Sequence, residues 1–115
     1  IAISDDDAVQ RDLLVKILRR DGHDVQDFST GVALVKSIEE GYRPDLVVTD
    51  YQMPDMCGFE VAERLSEVVP GIDVYMVTGQ PDQTKLDDAD GKGILRGHLV
   101  KPYRSFEISD MISSN

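Results

Sequence analysis

Short apolar runs and helical stripes take turns along this chain. "IAIS" (1–4) is apolar, and residues 8–20 then place Val9, Leu13, Leu14, Ile17 and Leu18 on one helical stripe. Asp6 or Asp7 stands where a carboxylate caps such a helix, and Asp21-Gly22 ends it. "DVQDF" (24–28) alternates like a strand with one covered face. Ser29 and Thr30 precede a second stripe, Ala33, Leu34 and Ile38, which Gly41 stops. "LVVT" (46–49) does not alternate, as expected of a strand buried on both faces. A third helix is predicted near 58–68 with Phe59, Ala62 and Leu65 inward, and Pro70-Gly71 breaks it before "IDVYMV" (72–77), a fourth strand. Residues 82–95 are only weakly helical because Gly91 and Gly93 interrupt them, so a short or mobile fourth helix is expected. "HLV" (98–100) makes a fifth strand, and Ser105 opens a last helix carrying Ile108, Met111 and Ile112.

Five rounds of strand then helix imply a parallel α/β sheet with right-handed crossovers and helices on both faces. Ligand sites in such sheets lie beyond the carboxyl ends of the strands. Ser4, Asp5, Asp6 and Asp7 follow the first strand, Asp50 the third, Thr78 the fourth, and Lys101-Pro102 the fifth. If those strands are neighbours, three carboxylates, a hydroxyl and an ammonium share one rim. Taken singly, Asp50 is an ordinary turn acid and Asp5 to Asp7 are helix-dipole charges. Taken together they describe a site.

Carboxylates that close repel, by roughly 4 kcal/mol for two unit charges about 4 Å apart at an effective dielectric near 20. Either protons stay on or a cation sits among them. Oxygen-only ligands favour Mg²⁺, with Mn²⁺ as second choice, and His23 and His98 lack a zinc-like spacing. A lysine and a threonine hydroxyl facing a metal-bound carboxylate suit a phosphoryl group, whose transfer mainly needs positioning and charge neutralisation. The carboxylate can then act as nucleophile and become an acyl phosphate.

Composition narrows the setting. The 115 residues suffice for one hydrophobic core, so 1–115 reads as a single domain, and the start without methionine suggests one trimmed from a longer chain. Twelve basic against 22 acidic residues give a net charge of −10, which repels nucleic acid and anionic membranes. No apolar run approaches the roughly 18–20 residues of a membrane span. The single cysteine, Cys57, cannot form an internal disulfide, so a cytoplasmic setting is expected.

"SDDD" (4–7), "VVTDYQMPDMCG" (47–58), "YMVTGQ" (75–80) and "HLVKPY" (98–103) together resemble the four signature regions of response-regulator receiver domains, the chemotaxis-regulator-like family of two-component systems. The resemblance implies a flavodoxin-like, doubly wound sheet in the order 2-1-3-4-5. It implies that Asp50 is the phosphoacceptor and that Asp6, Asp50 and the backbone carbonyl of Gln52 bind Mg²⁺ directly, Asp5 acting partly through water. Thr78 and Lys101 become the switch hydroxyl and the phosphate-contacting lysine, and Lys101-Pro102 a cis peptide. The donor is a phosphohistidine on a histidine kinase or histidine phosphotransfer domain, and the 79–103 face signals to an output domain or protein. The domain then catalyses its own phosphorylation and dephosphorylation rather than acting on a separate metabolite. The parent chain can equally be a membrane-bound hybrid histidine kinase with this domain in the cytoplasm.

Departures from the family pattern are informative. His98 occupies the place of a switch aromatic; a core-edge histidine is the plain reading, and a pH-sensitive switch the other. Cys57 replaces an aspartate and reads as an exposed loop thiol, while Gln52 and Gln80 hold the positions that tune phosphoryl lifetime. Three rivals remain. A dehalogenase-type aspartate phosphatase wants an acid where Gln52 stands, and a flavodoxin-like cofactor binder wants a Ser/Thr/Gly-rich first loop instead of "SDDD". A pseudo-receiver interaction module has no need of Asp5, Asp6, Asp50, Thr78 and Lys101, all of which are kept.

Overall fold

A computed structural model describes residues 1–113. Strands β1 (Ala2–Ser4), β2 (Gln26–Phe28), β3 (Leu46–Asp50), β4 (Asp73–Thr78) and β5 (Gly97–Val100) alternate with helices α1 (Ala8–Arg20), α2 (Gly31–Glu39), α3 (Gly58–Val68), α4 (Gln83–Lys92) and α5 (Ser105–Ser113). All strand pairs are parallel and the order is β2-β1-β3-β4-β5, as the alternation and the family resemblance implied.

Each strand of the sheet's centre feeds two cores because successive side chains point to opposite faces. Val48 joins Ile3, Leu14, Leu18, Val77, Ile108 and Ile112 on the α1 and α5 side. Val47 joins Ala2, Leu34, Ile38, Val61, Leu65 and Val74 on the α2 and α3 side. All five residues of β3 are buried, which explains its unbroken apolar run and gives its last residue a rigid base.

The register sets out the rim. Ser4 pairs with Thr49, so Asp5 emerges beside Asp50; Asp50 pairs with Val77, so Thr78 follows next to it; Thr78 pairs with Val100, and Lys101 comes next. Four strand ends, at their last pairings or one step past them, deliver the polar groups to one edge.

Several local expectations need correction. The inward face of α1 is Leu14, Val15, Ile17 and Leu18, whereas Val9 and Leu13 are 80% and 56% exposed. At 100° per residue Leu13 falls at the margin of that face and Val9 beyond it. Asp7 is the cap, accepting from the N–H groups of Val9 and Gln10 at 3.0 and 3.2 Å. In α3, Val61 is buried with Ala62 and Leu65, while Phe59 is only half-buried. Helix α4 is not short: its ten residues match the nine of α2 and α5. Gly93 does not interrupt it but ends it in the left-handed conformation (φ 68°), where glycine carries no steric cost. His98 is exposed rather than at the core's edge.

Candidate functional site

Asp50 is the last residue of β3 and is 9% exposed. Its Oδ1 accepts from Lys101 Nζ at 3.0 Å and from the Tyr51 N–H at 3.0 Å. That N–H is shared with the Val77 carbonyl at 2.9 Å, so the backbone just past the acid is tied to β4. Beneath it, Ser4 Oγ donates to Thr49 Oγ1 at 2.6 Å and Thr49 Oγ1 donates to the Asp50 carbonyl at 3.1 Å. These hydroxyls bridge β1 and β3 directly under the acids.

Asp5 is 5% exposed, and its Oδ1 accepts the Asp7 N–H at 2.9 Å. Arg11 does not reach that carboxylate: its guanidinium donates to the Asp5 backbone carbonyl at 2.7 Å and pairs with Asp27 at 3.1 Å. Asp6 faces solvent. Asp5, Asp6 and Asp50 each present one oxygen, and these lie within 4.8 Å of one another. A cavity of about 300 Å³ opens over Asp6, Asp50, Gln52, Gly79 and Lys101, with Gln10 on its wall. Sequence reasoning missed Gln10.

Burial is the main reason that both buried acids hold their protons more tightly than the ordinary 3.8. The Asp7 N–H offsets part of this at Asp5, and Lys101 offsets part at Asp50, while neighbouring acids add to the rise. Tyr103 is pushed up as well, first by burial and then by the charges of Asp5 and Asp50.

The remaining strand-end groups complete the rim. Thr78 is buried, and its Oγ1 accepts the Gln80 N–H at 3.1 Å. The Lys101 N–H donates to the Thr78 carbonyl at 2.8 Å, and the Lys101–Pro102 peptide is cis. A Cβ on Gly79 would meet nothing within 4 Å, so the cavity mouth is open there. Gln52 and Gln80 are exposed at this edge. Two other residues singled out from sequence stay outside it. Cys57 is the exposed N-cap of α3 and makes no side-chain cap bond. His98 lines a separate groove with Leu86, Asp87 and Asp90 of α4.

Gly58 carried no functional weight in the sequence, yet it touches the site. A Cβ there would lie 2.8 Å from the Asp50 carbonyl oxygen and 3.1 Å from Tyr51 Cα. Its N–H donates to the Tyr51 carbonyl at 2.8 Å, so α3 begins hard against the backbone of Asp50. The available signal was a glycine at a helix's first position, where its low propensity needs a spatial reason.

The all-oxygen donor set and two buried acids with raised affinity for positive charge fit a hard divalent cation. A pH dependence follows. Because both acids are raised in the folded chain, their contribution to stability without a divalent ion is complete below 3.8 and is lost as pH rises through the raised values. Mg²⁺ bound there would compete with protons for the same oxygens. Its elevation of the melting temperature should therefore be largest at about pH 8 and shrink toward about pH 4.5. Melts with Mg²⁺ or EDTA across that range check this, and a pH-independent Mg²⁺ effect would contradict it.

Known proteins share the sequence pattern and the fold. The family model "Response regulator receiver domain" matches residues 1–113. The chain is 34% identical over 112 residues to the DNA-binding transcriptional regulator NtrC of Rhizobium meliloti, covering 97% of this chain and 23% of that protein. It is 30% identical over 113 residues to the chemotaxis protein CheY of Halobacterium salinarum, covering 98% of this chain and 92% of that one. The chain thus spans under a quarter of one relative and nearly all of the other. In fold it resembles a chain of the CheX-CheY-BeF3-Mg+2 complex from Borrelia burgdorferi, with a TM-score of 0.90, 23% identity, and coverage of 98% of this chain and 85% of that chain. With nearly its whole length matched, the chain belongs to the response regulator receiver domains, the phosphoacceptor signalling modules of two-component systems.

Proposed function

We propose that Asp50 accepts a phosphoryl group from a phosphohistidine on a histidine kinase or histidine phosphotransfer domain, and that the acyl phosphate resets the 79–103 face toward an output domain or protein. The observation that carries this is Asp50 held 3.0 Å from Lys101, next to Asp5 and Asp6, at the floor of an open cavity.

In the step itself, an Asp50 carboxylate oxygen bonds to phosphorus as the P–N bond breaks and its electron pair returns to the donor imidazole. Lys101, already on Asp50, neutralises charge on the incoming group. Thr78 accepts from Gln80, which leaves its own hydroxyl proton for a phosphoryl oxygen. Receiver domains bind Mg²⁺ at such an acidic pocket. Here Asp6, Asp50 and the Gln52 carbonyl would hold it, or Mn²⁺, with Asp5 acting partly through water. The ion supplies further neutralisation of the phosphoryl oxygens when bound. Gln52 and Gln80, exposed at the mouth, are placed to order the water that later hydrolyses the acyl phosphate.

The donor must bring its imidazole to Asp50, so the surface bordering the cavity becomes its contact surface. That border is a groove of about 600 Å³ running from Lys101 between α1 and the start of α5, lined by Leu13, Ile17, Pro102 and Tyr103. Exposed Val9, Leu13 and Phe106 then have a purpose that core packing does not give them. No helix among the described residues is long and apolar enough to cross a membrane. We place the domain in the cytoplasm, alone or as part of a hybrid kinase, and assign nucleic-acid contact to some other domain because the net charge is −10. A Mg²⁺-dependent phosphoryl adduct that Asp50→Asn removes is the test.

A further inference from the structure

The residue after Asp50 reaches helix α4. The Tyr51 N–H holds Asp50 Oδ1, and its ring stands edge-on to Phe59 of α3, with centroids 5.4 Å apart at 74°. Lys85 of α4 lies off the ring's hydroxyl edge, its Nζ 3.4 Å from the phenol oxygen and 5.9 Å from the centroid. The backbone N–H of Lys85 donates to Asp82, the cap of α4, at 3.2 Å. Two residues before that cap, the Gln80 N–H holds the Thr78 hydroxyl. The contacts therefore run from Asp50 through Tyr51, Lys85, Asp82 and Gln80 to Thr78, which follows Asp50's pairing partner Val77 on β4.

From this run of contacts we infer that Lys85 is a positioning residue for the Asp50 site, acting through Tyr51 to hold α4 in its unphosphorylated place. The inference rests on the proposed phosphorylation of Asp50 and adds two residues to it. If Thr78 turns toward a phosphoryl oxygen, the Gln80 N–H loses its acceptor and the 79–82 loop shifts. Asp82 and Lys85 move with the loop, and the ammonium leaves the Tyr51 ring. The contact is made only before phosphorylation, so it opposes the loaded state by its own strength. The phenol oxygen also stabilises the charged form of Lys85, which suits a cation held at this ring.

Beryllofluoride with Mg²⁺, a mimic of the acyl phosphate, provides the readout. Lys85→Met should bind it about two- to fivefold more tightly, the factor a weak, exposed hydrogen bond supplies. Lys85→Arg, whose guanidinium can also donate to the phenol oxygen, should stay near the wild-type value. Tyr51→Leu should match Lys85→Met, and the double variant should gain no more than either single one. In Lys85→Met without beryllofluoride, the amide resonances of 83–92 should lie part of the way toward their loaded positions. Equal behaviour of Lys85→Met and Lys85→Arg, additive single variants, or α4 resonances unmoved from the free wild type would overturn the inference. If the wild-type chain binds beryllofluoride while the variants do not differ from it, only the role of Lys85 fails. If the wild type binds none, the reading of Asp50 fails and takes this one with it.

Discussion

Gly58→Ala should slow phosphorylation of Asp50 by up to about 10²-fold, the loss that a misplacement near 1 Å produces at a reacting centre. The new Cβ would sit 2.8 Å from the Asp50 carbonyl oxygen and 3.1 Å from Tyr51 Cα, both backbone atoms that cannot swing away. Met76 Sδ at 3.0 Å is flexible and can yield. Relief must therefore come from the β3–α3 connection, which carries the nucleophile and the N–H that orients it. Overpacking costs about 1–3 kcal/mol, and replacing glycine in a helix returns up to about 1 kcal/mol. Initial rates of acyl phosphate formation, read beside thermal melts, should show rate falling far more than stability. Equal rates with a lowered melting temperature would mean that Gly58 serves packing alone.

Asp5→Asn should separate stability from metal binding, with opposite signs. An asparagine oxygen can still accept the Asp7 N–H, and the Arg11 bond goes to the backbone carbonyl, so no hydrogen bond is lost. What disappears is a buried charge whose ionisation burial opposes. At neutral pH and without Mg²⁺ the variant should be more stable than the wild type, with a raised melting temperature. The gain should vanish at low pH, where the wild-type acid is already neutral. Mg²⁺ affinity should fall about 10- to 100-fold, as for loss of a group that supports or shares a metal site. Melts with and without Mg²⁺, plus a Mg²⁺ titration, decide it. A variant both less stable and unchanged in Mg²⁺ affinity would make Asp5 a structural acid.

The sheet was legible because it depends on burial, and burial leaves a trace in residue type. An unbroken run such as "LVVT" can only be a covered strand, and the strand ends then follow from parallel topology. The convergence of Asp5, Asp6, Asp50 and Lys101 needed only the right strand neighbours, and β1, β3, β4 and β5 are neighbours. Leu13 and Val9 misled because apolar identity was taken to mean burial, and exposed apolar side chains break that equivalence. Gln10 and the Tyr51–Lys85 contact left no trace because their meaning lies in distances between segments far apart in sequence, and Gly58 left only its place at a helix's first position. Gly93 was misread for a related reason: a glycine that ends a helix and one that weakens it look alike until φ is known.

The most direct measurement is intact-protein mass spectrometry after incubation with Mg²⁺ and acetyl phosphate, run on the wild type, on Asp50→Asn and with EDTA. The expected result is a single phosphoryl adduct on the wild type, absent in Asp50→Asn and in EDTA. An adduct that survives in Asp50→Asn, or no wild-type adduct with acetyl phosphate or with any phosphohistidine donor, would contradict the phosphoacceptor role; the second outcome would leave a receiver fold used only for binding.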